Sequence, residues 1–189
     1  MTTKGNVMKV ICLGNVATGK TSLARRYVTN EYSHQYRTTI GVDFLLKEIE
    51  INNLPVRVQF WDLAGQERFT GLTRPYYRNS GGAIIVFDLT SRETWDAVFN
   101  WQADVTSKVE LPNGQKLPIL LLGNKCDLLN NEKQCVSDEE IAKVVAERGF
   151  FQFAKVSAMT GQGVQEAINN LLHEVDRRLN SKNQPAIDQ

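Results

Sequence analysis

The chain has 189 residues, of which 42% are hydrophobic, and its 22 lysine and arginine residues nearly balance 21 aspartate and glutamate residues, for a formal net charge of +1. This length is typical of one globular domain, and the composition excludes an intrinsically disordered chain. The near-neutral charge argues against a general nucleic-acid-binding protein, which needs a clear cationic excess on at least one face.

Apolar, β-rich runs alternate with stretches of helical period, and this alternation predicts an α/β fold with a mostly parallel sheet. In the first half of the chain, residues 7–13 are predicted as a buried strand and residues 20–29 as a helix. Two strands follow at residues 43–51 and 56–61. The Asn52-Asn53 turn between them predicts that they form an antiparallel hairpin.

Three more buried strands are predicted in the second half of the chain, at residues 82–88, 119–122 and 151–156. One helix extends from about residue 93 to 109, and another follows Ser137, which forms a capping box with Glu140. The last helix has one apolar face, formed by Val164, Ile168, Leu171, Leu172, Val175 and Leu179. Residues 1–180 are therefore predicted as one domain, with a six-stranded, mostly parallel sheet, one antiparallel edge strand and about five flanking helices. Residues 181–189 are predicted as a flexible tail.

Neither membrane insertion nor disulfide chemistry is indicated. The longest apolar runs, such as residues 83–87, are far shorter than the ~20 residues that span a bilayer, and the N-terminus lacks an apolar signal core. Cys12, Cys126 and Cys135 are an odd number of cysteines at scattered positions, which predicts free thiols rather than a disulfide framework or a zinc site. We therefore expect a cytosolic protein.

A phosphate-binding motif lies between the first predicted strand and the first predicted helix. Its residues are Gly14-Asn15-Val16-Ala17-Thr18-Gly19-Lys20-Thr21, which fit the pattern G-x-x-x-x-G-K-[ST]. Gly14 and Gly19 allow the backbone to point consecutive N–H groups inward, where they form a nest for an anion at a helix N-terminus. Lys20 supplies a positive charge to the β- and γ-phosphates, and the Thr21 hydroxyl is a hard oxygen ligand suited to Mg²⁺. The motif predicts nucleotide binding and leaves the choice between ATP and GTP open.

The run Asn124-Lys125-Cys126-Asp127 favours guanine as the base, since it follows a predicted strand at the edge of the sheet where α/β proteins bind ligands. The Asp127 carboxylate can accept from both the N1–H and the exocyclic amine of guanine, a pair of donors that adenine lacks. Asn124 can donate to the ring N7, and the aliphatic part of Lys125 can cover one face of the base.

A second guanine element is Ser157-Ala158, at the end of the last predicted strand. A backbone N–H of this pair can lie near the guanine O6, and the Ser157 hydroxyl can orient the Asp127 carboxylate. The order of the two elements along the chain changes the interpretation from a nucleotide to a guanine nucleotide.

The strand 56–61 is followed by three residues that are suited to sensing a γ-phosphate. Asp62 can hold a water on Mg²⁺, the Gly65 N–H can meet a γ-phosphate oxygen, and Gln66 can orient the attacking water. Gln66 is the predicted catalytic residue. A second hydroxyl ligand to Mg²⁺ can come from Thr39 or from its neighbour Thr38, and chemistry alone does not choose between them.

These motifs resemble those of the Ras superfamily of small GTPases over residues 7–179, and within it those of the Rab family. The residues that carry the resemblance to Rabs are Ile40-Gly41-Val42-Asp43-Phe44, Lys47-Glu48-Ile49-Glu50-Ile51, Trp61-Asp62-Leu63-Ala64-Gly65-Gln66-Glu67-Arg68-Phe69 and Tyr76-Tyr77-Arg78. Leu63 and residues 107–114 are similar to the subgroup that serves lysosome-related organelles and melanosomes. The resemblance implies the fold of P-loop nucleotide hydrolases.

The resemblance also implies roles for single residues. Thr39, rather than Thr38, matches the magnesium-binding threonine of the first switch segment, and Tyr32 matches an aromatic residue that packs across the guanine edge. The implied switch and effector residues are Tyr36, Thr39, Ile40, Phe44, Trp61, Phe69 and Tyr76. Among these, Phe44, Trp61 and Tyr76 match the aromatic triad that Rabs present to effectors, although the same side chains also suit a hydrophobic core.

A Rab-like chain implies a set of partners: a guanine nucleotide exchange factor, a GTPase-activating protein, a GDP-dissociation inhibitor or escort protein, and effectors. It is expected to be a monomer, without nucleic acid, in the cytosol and on the cytoplasmic face of endomembranes such as lysosome-related organelles, endosomes or phagosomes. Rabs normally end in a prenylated cysteine pair, whereas this sequence has no cysteine after Cys135. We therefore expect that it is truncated before a prenylation site.

The predicted function is a switch that binds GTP with Mg²⁺, hydrolyses it slowly and recruits effectors in membrane trafficking. Val16 and Met159 depart from the usual Rab residues, and the branched Val16 side chain is expected to slow hydrolysis. A GTP-locked scaffold with negligible hydrolysis is therefore one alternative. A P-loop ATPase or kinase, for which Asn124 and Asp127 would be accidental, is another.

Overall fold

The computed structural model describes residues 6–33, 39–65, 73–130 and 132–180, and a six-stranded sheet lies at its centre. The strands are β1 (Asn6–Leu13), β2 (Val42–Ile51), β3 (Leu54–Leu63), β4 (Gly82–Asp88), β5 (Ile119–Asn124) and β6 (Gln152–Lys155). Their order across the sheet is β2-β3-β1-β4-β5-β6, and the β2–β3 pair is antiparallel while the other four pairs are parallel. The predicted sheet, with its single antiparallel edge strand, is confirmed.

The helices flank this sheet on both faces. They are α1 (Lys20–Thr29), α2 (Thr73–Tyr77), α3 (Arg92–Asp96), α4 (Val98–Lys108), α5 (Asp138–Arg148) and α6 (Val164–Asn180), with a 3₁₀ helix at Cys126–Asn130. Only Ala97 separates α3 from α4, and its backbone stays helical at φ −73° and ψ −19°. The α3–α4 pair therefore occupies the place of the single helix predicted at residues 93–109. Counted in this way, the described part of the chain has five flanking helices, which agrees with the expected number of about five, although α2 is not among the four whose positions were predicted.

The predicted β2–β3 hairpin is present and turns at Asn52 and Asn53, whose φ values of 53° and 61° are those of a type I′ turn. Its ladder extends as far as the pair Val42 and Leu63, two residues beyond the predicted end of β3. One further backbone bond, from the Ala64 N–H to the Gly41 oxygen at 2.9 Å, ties the open end together. The hairpin thus delivers the segments before β2 and after β3 to the same end of the sheet.

Two hydrophobic cores lie on opposite faces of the sheet. One packs against α1 and α6, through residues such as Tyr27 and Leu171, and the other packs against α3, α4 and α5, through residues such as Trp95 and Trp101. All seven residues of β4 are buried because both faces of this central strand are covered. The parallel strands therefore end at one rigid edge, where loops gather ligand-binding residues.

Several element boundaries differ from the sequence prediction for packing reasons. β5 reaches Asn124 because Gly123 and Asn124 pair with the end of β4, and α2 was not predicted at all. Leu179 on α6 is 40% exposed, so the predicted apolar face of this helix ends one turn early. The Ser137 cap of α5 is confirmed, with its hydroxyl oxygen 3.2 Å from the Glu140 N–H that it accepts.

The predicted tail at residues 181–189 lies outside the described residues. None of the helices in the described part of the chain combines the length and the apolar character that crossing a membrane requires.

Candidate nucleotide-binding site

The segment between β1 and α1 is a loop with unusual backbone geometry. Gly14, Ala17 and Gly19 have φ values of 138°, 63° and 93°, all in the left-handed region. Gly19 is also confined by its neighbours, because a Cβ atom there would lie 2.3 Å from the Asn124 amide nitrogen. Such a turn directs successive N–H groups into the loop, as the predicted anion nest requires.

Lys20, the first residue of α1, lies across this loop and is only 6% exposed. Its ammonium group donates to the backbone oxygens of Gly14 at 2.9 Å and Asn15 at 3.0 Å. Burial lowers the pKa of Lys20, and attraction to the nearby Asp62 carboxylate acts in the opposite direction. A phosphate oxygen at this position would supply the negative charge that a buried ammonium group favours.

Thr21, Thr39 and Asp62 converge beside Lys20 from three separate elements. The Thr21 hydroxyl donates to Asp62 Oδ2 and lies 2.9 Å from the Thr39 hydroxyl, and the Thr39 hydroxyl donates to the same carboxylate oxygen at 3.4 Å. Thr39 comes from the loop before β2, whereas Asp62 lies on β3. The structure thus brings together the residues that the sequence assigned to magnesium.

These three residues fit a divalent cation on the chemistry of their atoms. Asp62 is 1% exposed, and its Oδ1 atom has no hydrogen-bond partner among the described residues. Burial raises the pKa of Asp62 despite the hydrogen bond from Thr21, because a carboxylate removed from water is costly to ionise. Two hydroxyls and a carboxylate are the hard oxygen donors that Mg²⁺ prefers.

Within the described residues, no cluster of three or more His, Cys, Asp or Glu side chains could hold a metal ion. In proteins Mg²⁺ commonly completes its coordination with waters and with phosphate oxygens of a bound substrate.

Gly65 follows β3 and lies directly on the phosphate loop. A Cβ atom at this position would be 2.3 Å from the Val16 nitrogen and 2.6 Å from the Asn15 carbonyl carbon. The backbone after β3 is therefore close to the place where a terminal phosphate would emerge from the loop. The predicted catalytic Gln66 lies outside the described residues, as do Tyr36 and Phe69.

The side-chain amide of Asn124 makes two hydrogen bonds within the protein. Its amide nitrogen donates to the Thr18 oxygen at 2.8 Å, and its amide oxygen accepts from the Ala158 N–H at 3.0 Å. The sequence assigned the Asn124 amide to the ring N7 of guanine and a backbone N–H of the Ser157-Ala158 pair to its O6, and both roles stay predictions. Because Asn124 is only 2% exposed, its buried amide is satisfied within the protein, where it ties the phosphate loop to the loop after β6.

Lys125 is anchored by a carboxylate from the neighbouring strand. Its ammonium group lies 2.5 Å from Asp88 Oδ2, while Asp88 Oδ1 accepts from the backbone N–H and the hydroxyl of Thr90. Burial alone would raise the pKa of Asp88, but these hydrogen bonds outweigh it, and the pKa lies below its ordinary value. The pair holds the aliphatic part of Lys125 in place beside Asp127, which is half-buried in the 3₁₀ helix.

Ser157 makes hydrogen bonds within the loop that follows β6. Its buried hydroxyl oxygen accepts from the Thr160 N–H at 3.0 Å, and its backbone oxygen accepts from the Gly161 N–H at 2.8 Å. A serine after a strand readily forms this local turn. The hydroxyl therefore shapes the loop that carries Ala158. Since the hydroxyl only accepts in the turn, its own proton can still be donated, and the predicted orientation of Asp127 stays a prediction.

Arg26 on α1 is a site residue that the sequence prediction missed. Its guanidinium group donates to the backbone oxygens of Ala158 at 2.9 Å, Met159 at 2.6 Å and Asn30 at 2.7 Å. The same group lies 6.0 Å from the centre of the Tyr32 ring, so Tyr32 is on the side of the site where the guanine loops meet. In the sequence Arg26 cannot be told from its neighbour Arg25, because two of its three partners are backbone oxygens more than 130 residues away.

Two of the three predicted effector aromatics meet on one surface of the sheet. Phe44 and Trp61 are directly paired across β2 and β3, with ring centres 6.2 Å apart, and Phe44 is 60% exposed. Ile40, which lies two residues before the start of β2, is 93% exposed. Tyr76 is half-buried and packs against the core on the same face as α3 and α4, which is the core role considered for it from the sequence.

Comparison with known proteins agrees with this geometry. Residues 9–177 match the sequence profile of the Ras family. The human Ras-related protein Rab-32 is 41% identical over 174 residues, covering 92% of this chain and 76% of that protein. The human Ras-related protein Rab-7L1 is 40% identical over 178 residues, covering 94% of this chain and 86% of that protein. Ras-related protein Rab-32A of Dictyostelium discoideum is 39% identical over 179 residues, covering 94% and 81%.

Proposed function

The chain belongs to the Ras family of small GTPases, in the Rab subgroup of Rab-32 and Rab-7L1, and we propose that it is a GTP-hydrolysing switch that recruits effectors to membranes. The observation that carries the proposal is the convergence of Thr21, Thr39 and Asp62 beside the phosphate loop. Thr39 reaches this point from a surface loop, so a metal-bound phosphate there would decide whether that loop is held.

Each residue of the phosphate end has a proposed task. Residues 14–21 cradle the phosphates, with the Lys20 ammonium group neutralising the β- and γ-phosphate oxygens. Thr21 and Thr39, with Asp62 through water, would hold Mg²⁺, which Ras-family GTPases generally use and which would neutralise charge on the phosphates. The Gly65 N–H donates to the γ-phosphate.

In the proposed hydrolysis step, this chain and a partner protein share the work. Gln66 orients a water molecule in line with the γ-phosphate, and a GTPase-activating protein supplies the remaining stabilisation of charge. When the γ-phosphate leaves, Thr39 and Gly65 lose a shared partner, so the two segments that contain them relax.

Selection of guanine is assigned to the other end of the site. Asp127 accepts from the N1–H and the amine of the base, while Asn124, Lys125, Ser157, Ala158 and Tyr32 form its surroundings. Support for this assignment comes from the anchored Lys125 stem and from the hydrogen bond between Asn124 and Ala158, which holds the two loops next to each other.

The proposed signalling surface centres on Ile40, Phe44 and Trp61 at the open end of the β2–β3 hairpin, and the half-buried Tyr76 is included in it only on the strength of the resemblance to Rabs. Exposed apolar side chains rarely cluster without a partner, and these adjoin the loop that bears Thr39. Rab relatives imply an exchange factor, a GTPase-activating protein, a GDP-dissociation inhibitor and effectors. We place the protein in the cytosol and on the cytoplasmic face of endomembranes, held by a prenylated C-terminal tail.

The nucleotide that accompanies the purified protein tests the choice of base. We expect GDP or GTP after denaturation and chromatography, and ATP or ADP would favour the rival ATPase or kinase. Asp127→Asn replaces one acceptor by a donor, so the variant should bind xanthosine diphosphate better than GDP. Retention of the GDP preference would contradict the role of Asp127.

Single-turnover hydrolysis separates the switch from a GTP-locked scaffold. The wild-type protein should release phosphate slowly alone and faster with a Rab GTPase-activating protein, whereas Gln66→Leu should be slower under both conditions. No phosphate release from the wild type, even with the activating protein, would favour the scaffold. Wild-type turnover in Gln66→Leu would refute the water-orienting role of Gln66.

A further inference from the structure

The indole of Trp101 makes a hydrogen bond to the phosphate loop. Trp101 lies on α4 and is 1% exposed, and its Nε1–H donates to the side-chain oxygen of Asn15 at 3.0 Å. A buried indole N–H that loses its acceptor is costly, so this bond fixes the Asn15 side chain against the helix. The two residues are 86 positions apart in the sequence, so the bond connects elements that are distant along the chain.

Asn15 is also the point where several parts of the proposed site meet. Its backbone oxygen accepts from the Lys20 ammonium group at 3.0 Å and from the Thr18 hydroxyl at 2.9 Å. Its carbonyl carbon lies against Gly65, where a Cβ atom would be 2.6 Å away. A side chain fixed at Asn15 therefore also fixes the carbonyl group that orients Lys20.

The helix that carries Trp101 also contacts the end of α2, the helix that comes after Gly65 along the chain. Asp104, one turn further along α4, accepts from the Tyr77 hydroxyl at 2.8 Å, and Tyr77 ends α2. Trp101 itself packs in the same core as Leu13 and Leu63, which precede the phosphate loop and Gly65. One face of α4 thus supports the phosphate loop and the end of α2 together.

We propose that Trp101 is a positioning residue for the nucleotide site: through Asn15 it holds the phosphate loop closed on the nucleotide and thereby sets the rate of GDP release. This inference rests on the proposed function, since it requires that the loop bind a nucleotide. It adds a residue of the core to the site, which neither the motif nor the spacing of the phosphate loop indicates.

The test measures the release of a fluorescent GDP analogue from Trp101→Phe, which keeps the aromatic ring and removes the N–H donor. Trp95→Phe is the matched control, because Trp95 is equally buried in the same core and its indole N–H donates to Glu140 at 3.2 Å, away from the phosphate loop. We expect release about threefold to tenfold faster from Trp101→Phe and unchanged from Trp95→Phe, the size of one net hydrogen bond.

A double-mutant cycle with Asn15→Ala makes the test independent of core stability. Asn15→Ala alone should speed release as much as Trp101→Phe does, and adding Trp101→Phe to it should have no further effect. The proposal is overturned if Trp101→Phe releases GDP at the wild-type rate, if both tryptophan variants accelerate release equally, or if the two substitutions simply add. A wild-type protein that binds no guanine nucleotide would instead refute the proposed function.

Discussion

The hydroxyl group of Thr21, on α1, contacts both Thr39 and Asp62. We predict that Thr21→Asn removes a magnesium ligand and weakens Mg²⁺-dependent GTP binding by about tenfold to a hundredfold, the scale of losing one group that supports a metal. Thr29→Asn, at the far end of the same helix, is the control, since the Thr29 hydroxyl bonds only locally to the Arg25 oxygen in the described structure. Titration of GTP with and without Mg²⁺ measures both variants, and unchanged affinity in Thr21→Asn would contradict its role.

Asp88 offers a prediction about pH. Its pKa is lowered in the folded protein by hydrogen bonds from Lys125 and Thr90, which outweigh the opposing effect of burial. A carboxyl group with a lowered folded pKa stabilises the protein above its unfolded pKa and loses this effect as the pH falls through the folded value. The difference in unfolding free energy between wild type and Asp88→Asn should therefore be constant near neutral pH and shrink below about pH 4.

Urea unfolding at a series of pH values measures this difference. Asp96→Asn is the control, because Asp96 forms an exposed ion pair with Arg92, and such pairs contribute about 0–1 kcal/mol. A wild-type advantage over Asp88→Asn that persists undiminished to the lowest pH at which the protein folds would show that the ionised carboxylate is not responsible.

Arg26 and Arg25 are neighbours on α1 with different expected effects. Arg26 holds two backbone oxygens of the guanine loop, whereas Arg25 makes one exposed ion pair with Asp43 at 4.0 Å. Charge-assisted hydrogen bonds are stronger than neutral ones, so Arg26→Met should speed GDP release by at least about tenfold. Arg25→Met should leave the rate unchanged, and equal rates for the two variants would contradict the role of Arg26.

The strands and helices were largely predictable from the sequence, because their periodicity is a local property. The buried runs that form β1 and β4, the Asn52-Asn53 turn and the bounds of α1 all follow from neighbouring residues. The extension of β5 to Asn124 depends on pairing with β4, and α2 depends on packing of Tyr77 against the core beneath α4. Neither signal exists in the residues of the element itself.

The phosphate loop was also predictable, since its glycines and Lys20 carry their chemistry wherever the loop is placed. The partners of Asn124, Ser157 and Arg26 were not. Each of them is decided by which backbone group lies within reach after folding, such as the Thr18 oxygen for Asn124. Buried polar groups take the acceptors that the fold supplies, and a motif read residue by residue does not reveal these.

The turn after β3 is the element through which the proposed metal site would act on the residues that follow β3. Gly65→Ala would place a Cβ atom 2.3 Å from the Val16 nitrogen, so the turn must move away from the phosphate loop. We predict that GDP affinity is kept and that the preference for effectors in the GTP-bound state is lost. Gly149→Ala at the end of α5 is the control, because its left-handed backbone costs stability although its Cβ meets no atom within 4 Å.

Binding of both nucleotide states and capture of a GTP-dependent partner measure the two glycine variants. Gly149→Ala should lower thermal stability and leave nucleotide-dependent capture intact. Normal GTP-dependent capture by Gly65→Ala would show that close approach of this turn to the phosphate loop is not needed for signalling.

At the scale of the whole molecule, one sheet connects the proposed nucleotide-binding edge with the proposed signalling surface. The hairpin of β2 and β3 is the link, because Thr39 and Asp62 lie at its open end while Phe44 and Trp61 pair within it. Ile40 is next to Thr39 and is 93% exposed. If the proposed switch operates, a change at the metal site would reach the exposed apolar surface within a few residues, without any rearrangement of the core.

The most direct test is a pair of crystal structures of this chain, one with Mg²⁺ and GDP and one with Mg²⁺ and a non-hydrolysable GTP analogue. We predict that Thr39 remains beside Thr21 and Asp62 only with the GTP analogue, and that Gly65 stays against Val16 only in that state. With GDP, both segments should leave the phosphate loop while the sheet is unchanged. Identical positions of Thr39 and Gly65 in the two structures would contradict the proposal that this protein is a switch.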